Sequence, residues 1–176
     1  MIPRKYLEDY QIVERVDDKG RVRKEAVYIA GDYVFAPPVS RKERWTIVGL
    51  CALAALTFIA ALVPATMVAR TTYVMVPFIL TPVPLYLMST IAIALVRAGE
   101  KMIRSDAERI TQRLSPYTLL AAVLPAASLI ALLVACLRSL ESFQAGDAVF
   151  CVMAAACTGS SAVIFKKSRK VKAVKR

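Results

Sequence analysis

The sequence predicts an all-α membrane protein: a four-transmembrane-helix bundle with a small N-terminal β-hairpin or meander and a short cytoplasmic amphipathic helix. Three observations carry that expectation. The hydrophobic fraction is 57% and the mean hydropathy +0.53, against roughly 45–50% apolar content in a soluble domain. The apolar residues fall into four uncharged blocks, Trp45 to Ala69, Thr71 to Val96, Leu114 to Leu137 and Ala148 to Phe165, and a helical span needs about 20 mainly apolar residues. Positive charges then gather on one side of those blocks.

Residues 1–39 form the first unit, a cytoplasmic hairpin segment. YQIVERV and RVRKEAVYIA are rich in strand formers, and Asp17-Asp18-Lys19-Gly20 between them has turn chemistry, since Gly accepts positive φ and Asp bonds its own backbone. Gly31-Asp32 followed by Tyr33 to Phe35 suggests a third strand extending the hairpin into a meander. Two strands alone bury too little to be stable in water. The hairpin is therefore expected to dock on the membrane surface, the middle cytoplasmic loop or a partner, through Tyr6, Tyr10, Tyr28, Tyr33 and Phe35.

Residues 40–165 form the membrane domain, with helices expected near 45–69, 71–96, 116–137 and 148–165. Pro37-Pro38 ends the strand region. Ser40 and Glu43 have capping-box spacing, which starts the first helix in the cytoplasm, and Trp45 suits the interfacial belt. Between the second and third spans, an amphipathic helix over 99–114 is expected from the stripe Ile103, Ala107, Ile110 and Leu114. Ser105 with Glu108 offers it a capping box, and Ser115-Pro116 reads as the N-cap and first residue of the third span. Residues 166–176, KKSRKVKAVKR, form a basic cytoplasmic tail.

Arg41, Lys42 and Arg44 precede the first span; Arg97, Lys101, Arg104, Arg109 and Arg113 separate the second from the third; the tail follows the fourth. The other side carries Arg70 and Arg138. Lys and Arg are retained on the cytoplasmic side during insertion, which places both termini in the cytoplasm. The first apolar block begins too far along the chain for a cleaved signal peptide, so it is expected to act as a signal-anchor. Few-residue outer loops and a short N-terminal segment are compatible with a bacterial plasma membrane, the expected location.

The net charge of +11 needs no nucleic acid to explain it. Lys166, Lys167, Arg169 and Lys170 begin directly at a helix end, where anionic headgroups lie within reach and each cation contributes about 1 kcal/mol. Those four are the candidate membrane-surface contacts. The partners expected are a lipid bilayer with anionic headgroups, together with a protein partner or a second copy of the chain.

Composition disfavours most chemistries. There is no His, which removes the commonest metal ligand and general base. The spans hold no acid or base of the kind that marks proton-coupled pumps. No P-loop, paired-cysteine zinc motif or nucleophile elbow is present, so neither a cofactor nor enzymatic activity is expected. Cys51, Cys136, Cys151 and Cys157 read as small buried hydrophobes, although Cys136 and Cys151 reach a similar outer depth where a disulfide is geometrically allowed. Ala154, Thr158 and Ala162, with Ala155 and Gly159 beside them, repeat at four-residue spacing, as do Ala127, Ala131 and Ala135. Such rows let helix backbones approach closely; packing of the third on the fourth helix is the expected use, a dimer face the alternative.

The second span contains VPFILTPVPLYL, in which Pro77, Pro82 and Pro84 each remove a backbone donor. Pro77, Thr81, Pro82 and Pro84 are therefore the candidate polar or kink site. Either the freed carbonyls and Thr81 bind something, as broken helices do in transporters, or the helix is simply bent. The bend is the expected reading, since no internal repeat supplies a matching broken helix.

The functional expectation is a small polytopic integral membrane protein acting as a non-enzymatic subunit or scaffold of a membrane complex, with a small homo-oligomeric transporter or channel as the alternative. Orientation is directly testable. A reporter active only in the cytoplasm is expected to work when fused after Glu100 or Arg176 and to fail after Arg70 or Leu140; the reverse pattern would invert the topology.

Overall fold

The computed structural model describes residues 4–16, 22–36, 38–63, 71–98, 102–138 and 144–175. The turn expected at Asp17 to Gly20, Pro37, the loop carrying Arg70, and Glu100 and Lys101 lie outside these residues.

Helix α1 (Arg41–Leu62) begins at the expected capping box: Glu43 N–H donates to Ser40 Oγ at 3.2 Å and Ser40 N–H to Glu43 Oε2 at 3.1 Å. The second apolar block forms α2 (Thr72–Leu80) and α3 (Pro82–Arg97), divided at Thr81 because Pro82 cannot donate into the preceding turn and suits the first position of a new helix. Helices α4 (Arg104–Arg138) and α5 (Ala145–Ser168) follow. With α2 and α3 as one span, all four spans are long and apolar enough to cross a membrane, and the chain is an integral membrane protein. The spans pack in a closed ring: α1 against α3, α2 and α3 against α4, α4 against α5, and α5 back on α1. Each span thus adjoins its neighbours in sequence, the up-down arrangement that short connections favour.

The separate amphipathic helix over 99–114 does not form. α4 runs unbroken through Ser115-Pro116, so the boundary expected there is absent. The reason lies in the buried stripe: Ala107, Ile110 and Leu114 continue at helical spacing into Thr118, Ala121, Ser128, Leu132 and Ala135. Packing along that stripe outweighs the single hydrogen bond lost at Pro116.

Inside the ring, Ala54, Ala92, Ala121 and Ala154 are fully buried, one on each span, which brings the backbones close. Toward the end remote from the chain termini, Phe78 stacks on Phe58 at 4.7 Å and meets Phe150 edge-on at 4.9 Å, locking three spans together. The small-residue rows of α5 divide between two faces. Ala154 packs inward with Cys157, Ser161 and Ile164, whereas Ala155, Gly159 and Ala162 face outward. A Cβ placed on Gly159 would meet nothing within 4 Å. All four cysteines are free thiols, Cys51 and Cys157 buried and the other two half-buried.

Strands β1 (Tyr10–Val16) and β2 (Val22–Tyr28) form the expected antiparallel hairpin, in register from Tyr10 opposite Tyr28 to Val16 opposite Val22. The meander does not follow. Gly31, at φ 87°, turns the chain away from β2 in a conformation that side chains disfavour. Strand β3 (Tyr33–Phe35) then pairs antiparallel with β4 (Ala173–Lys175), a strand formed within the segment expected to be a basic tail at the membrane surface. The tail is correspondingly short: α5 continues to Ser168, and Val171 is buried.

Packing and lipid-facing positions on α5 should respond differently to added bulk. Ala154→Leu is expected to destabilise the protein by about 1–3 kcal/mol, the usual cost of overpacking, and Gly159→Leu to leave stability nearly unchanged. Thermal unfolding in mild detergent checks both.

Candidate functional site

Both ends of the described chain and the start of α4 assemble at one end of the bundle, here termed the terminal face. Its organising element is the base of the hairpin. Tyr28 Oη accepts from the backbone N–H of Arg104 at 2.9 Å, satisfying one of the orphan donors in the first turn of α4. Arg104 Nε donates to Glu108 Oε1 at 2.9 Å, and its guanidinium also approaches Asp9 Oδ1 at 3.4 Å. Tyr6 Oη donates to Glu108 Oε2 at 3.2 Å, Ile29 N–H donates to the Asp9 carbonyl at 2.9 Å, and the Tyr10 and Tyr28 rings meet edge-on at 5.3 Å. Of the expected docking surfaces, the hairpin uses the segment after the second span.

This network replaces the capping box expected from Ser105 and Glu108. The helix starts two residues earlier, at Arg104, the Ile103 carbonyl accepts from Asp106 and Ala107, and Glu108 binds Arg104 and Tyr6 instead. Asp9 is buried at 6% exposure, and among the described residues its Oδ2 has no hydrogen-bond partner. Burial raises the pKa of the Tyr28 phenol, with smaller contributions from Asp9, Tyr33 and Tyr10; the bond from Arg104 N–H acts in the opposite direction. The neutral phenol is the docked form.

The remaining hairpin extends beyond this anchor. The face that begins with Tyr10 and Tyr28 continues as Ile12 opposite Ala26 and then Glu14 opposite Lys24, an exposed cross-strand ion pair at 3.6 Å. Ile12 is 70% exposed and Val22 60%. Being a two-stranded sheet, the arm also offers its strand edges, which ordinarily are covered or protected by charge.

A second cluster ties the helix ends. Tyr33 exchanges both backbone hydrogen bonds with Met102 at 3.0 Å each, and Ala36 N–H donates to the Lys172 carbonyl at 2.9 Å. Arg44 donates to the carbonyls of Val39 and Ala98 while its guanidinium lies 5.0 Å over the Phe35 ring. One side chain thereby joins the start of α1, the end of α3 and strand β3.

The proline segment is divided at Thr81 into α2 and α3. Thr81 is fully buried; its hydroxyl donates to the Pro77 carbonyl at 3.0 Å and its N–H to the Phe78 carbonyl at 3.1 Å, while its own carbonyl accepts from Leu85 at 3.2 Å. Pro77 stays within α2, Pro82 is exposed at the start of α3, and Pro84 is buried. The hydroxyls of Ser89 and Thr90 likewise return to carbonyls of their own helix, Leu85 and Leu87, at 2.8 Å each. Pro77, Thr81, Pro82 and Pro84 thus lie at or beside one helix division, and the hydroxyls of Thr81, Ser89 and Thr90 are bonded to nearby backbone carbonyls.

Of the candidate surface cations, Lys166 is exposed and Lys167 half-buried in the last turn of α5; Arg169 and Lys170 form the turn beyond it, with Arg169 at 5.9 Å over the Phe165 ring. Among the described residues no three Cys, Asp or Glu side chains gather as a metal site would require. Sequence reading missed Asp9 and Arg104 as partners because their contact joins residues 95 positions apart. The chain matches no family model, and comparison with curated proteins and with solved structures found no match.

Two substitutions test the anchor. Arg104→Ala is expected to lower amide protection of 10–16 and 22–29 several-fold while the spans keep theirs, as measured by hydrogen exchange. Tyr28→Phe, which removes only the phenolic acceptor, should weaken docking by about 1 kcal/mol.

Proposed function

We propose that this integral membrane protein is a non-enzymatic subunit or scaffold of a membrane complex, with its terminal face in the cytoplasm and its spans in a bacterial plasma membrane. The observation that carries this reading is the hairpin: its base is fixed to α4 through Arg104 and Tyr28, while Ile12 and Val22 project uncovered beyond it. An arm anchored at one end and apolar at the other suits protein recognition, because holding it in place removes much of the ordering cost of binding. The positive charges flanking the spans on the terminal side support the cytoplasmic orientation.

An absence of catalysis fits the uses to which the nearby acids are put. Asp9 and Glu108 face Arg104, and Glu43 caps α1. The alternative, a homo-oligomeric transporter or channel along the second span, draws on Pro77, Thr81, Pro82 and Pro84, and the bond from Thr81 to Pro77 weakens it by occupying the one hydroxyl at the break.

Crosslinking the natively expressed protein, followed by mild extraction and mass spectrometry, tests the subunit reading. A reproducible partner joined to residues 10–16 or 22–28 is expected, and the double variant Ile12→Asp, Val22→Asp should lose it by at least tenfold, as removal of a central apolar anchor does, without changing thermal stability. Self-crosslinks alone through the second span would instead favour the transporter, and flux through Pro82→Ala and Pro84→Ala would then decide that reading.

A further inference from the structure

A cleft of about 340 Å³ opens between the start of α1 and the end of α5, lined by Pro38, Val39, Glu43, Ile47, Lys167, Lys170 and Val171. Its volume lies in the range of roughly 300–1,000 Å³ common to small-ligand sites. We propose that it binds one phospholipid with an anionic headgroup, the phosphate between Lys167 and Lys170 and the first acyl carbons along Val39, Ile47 and Val171.

Three features select that occupant. The first is position: Ile47 lies two residues inside the uncharged block that begins at Trp45, and Glu43, Lys167 and Lys170 lie just outside the apolar stretches of their helices. The cleft therefore straddles the level where headgroup gives way to acyl chain, with apolar and cationic walls in matching order. The second is charge. Lys167 and Lys170 oppose one carboxylate, and that carboxylate already accepts the Ser40 backbone N–H at 3.1 Å. Among the described residues neither lysine has an ion-pair partner.

The third feature is how the chain aims the two lysines. Lys170 N–H donates to the Lys167 carbonyl at 3.1 Å, continuing a helical turn that sets residues three apart on the same side. Arg169 is directed instead to the Phe165 ring, and Lys166 is exposed outside the lining. Four cations adjacent in sequence thus divide into two that line a cleft and two that do not. A diffuse attraction between basic residues and an anionic surface would make no such distinction.

Native mass spectrometry of the full chain extracted in mild detergent, with phosphatidylglycerol or phosphatidylcholine added, tests this. One tightly retained phosphatidylglycerol per chain is expected, with phosphatidylcholine retained far less. Lys167→Gln with Lys170→Gln should weaken retention roughly 30-fold, the effect of two headgroup-facing cations. Lys166→Gln with Arg169→Gln removes the same charge elsewhere and should retain the lipid. Val39→Trp, at a half-buried lining position, obstructs the cleft and keeps every charge, and should also release it, with thermal unfolding confirming that the bundle is intact. Equal loss in the two charge variants would overturn the proposal in favour of diffuse surface attraction. Equal retention of both lipids, or displacement of phosphatidylglycerol by millimolar inorganic phosphate, would also overturn it, the latter by showing a phosphate site rather than a lipid site.

Discussion

A three-residue strand holds the terminal face together. Surrounded by lipid, apolar side chains gain little by exchanging acyl chains for one another, so the order of membrane helices rests on close packing and on polar ties. In this protein the ties lie largely outside the apolar zone. Strand β3 is bonded to Met102 before α4 on one side and to β4 after α5 on the other, and Phe35 at its end lies beneath Arg44 at the start of α1. The beginnings or ends of four helices are thereby fixed relative to one short segment, because Arg44 also reaches the carbonyl of Ala98 that follows α3.

Within the bundle the polar groups follow the opposite policy. Thr57, Thr81, Ser89, Thr90, Thr118, Ser128, Thr158 and Ser160 each donate to a carbonyl three or four residues back in the same helix. In a medium without water this is the simplest way to satisfy a hydroxyl. Ser161 is fully buried and has no hydrogen-bond partner among the described residues. With hydroxyls turned back on their own helices, side-chain contacts between distant parts of the chain gather at the terminal face, where Asp9, Arg104 and Glu108 meet.

The sequence made the spans legible because a helix in lipid announces itself by length and by missing charge, both local properties. The Ser40 cap and the hairpin were readable for the same reason: their partners lie within a few residues or across one turn. What was not readable is non-local. Lys172 to Lys175 read as a charge run, and nothing local marked the strand that pairs with β3. Asp9 carries no sign that Arg104 will meet it. At Pro116 a correct local rule gave the wrong boundary, since the buried stripe from Ala107 to Ala135 keeps its period across the proline and tertiary packing overrides the breaker. The outward facing of Ala155 and Gly159 was likewise decided by which neighbours the helix acquired, not by the spacing of its small residues.

The pairing of β3 with β4 also imposes an order in time. At roughly 5–20 residues per second, the segment that supplies β4 leaves the ribosome on the order of ten seconds after the one that supplies β3. Throughout that interval the four spans must enter the bilayer while Tyr33 to Phe35 wait with an unpaired edge. Closure of that edge is thus a late molecular clasp, available only to chains whose every span has already been delivered to the correct side.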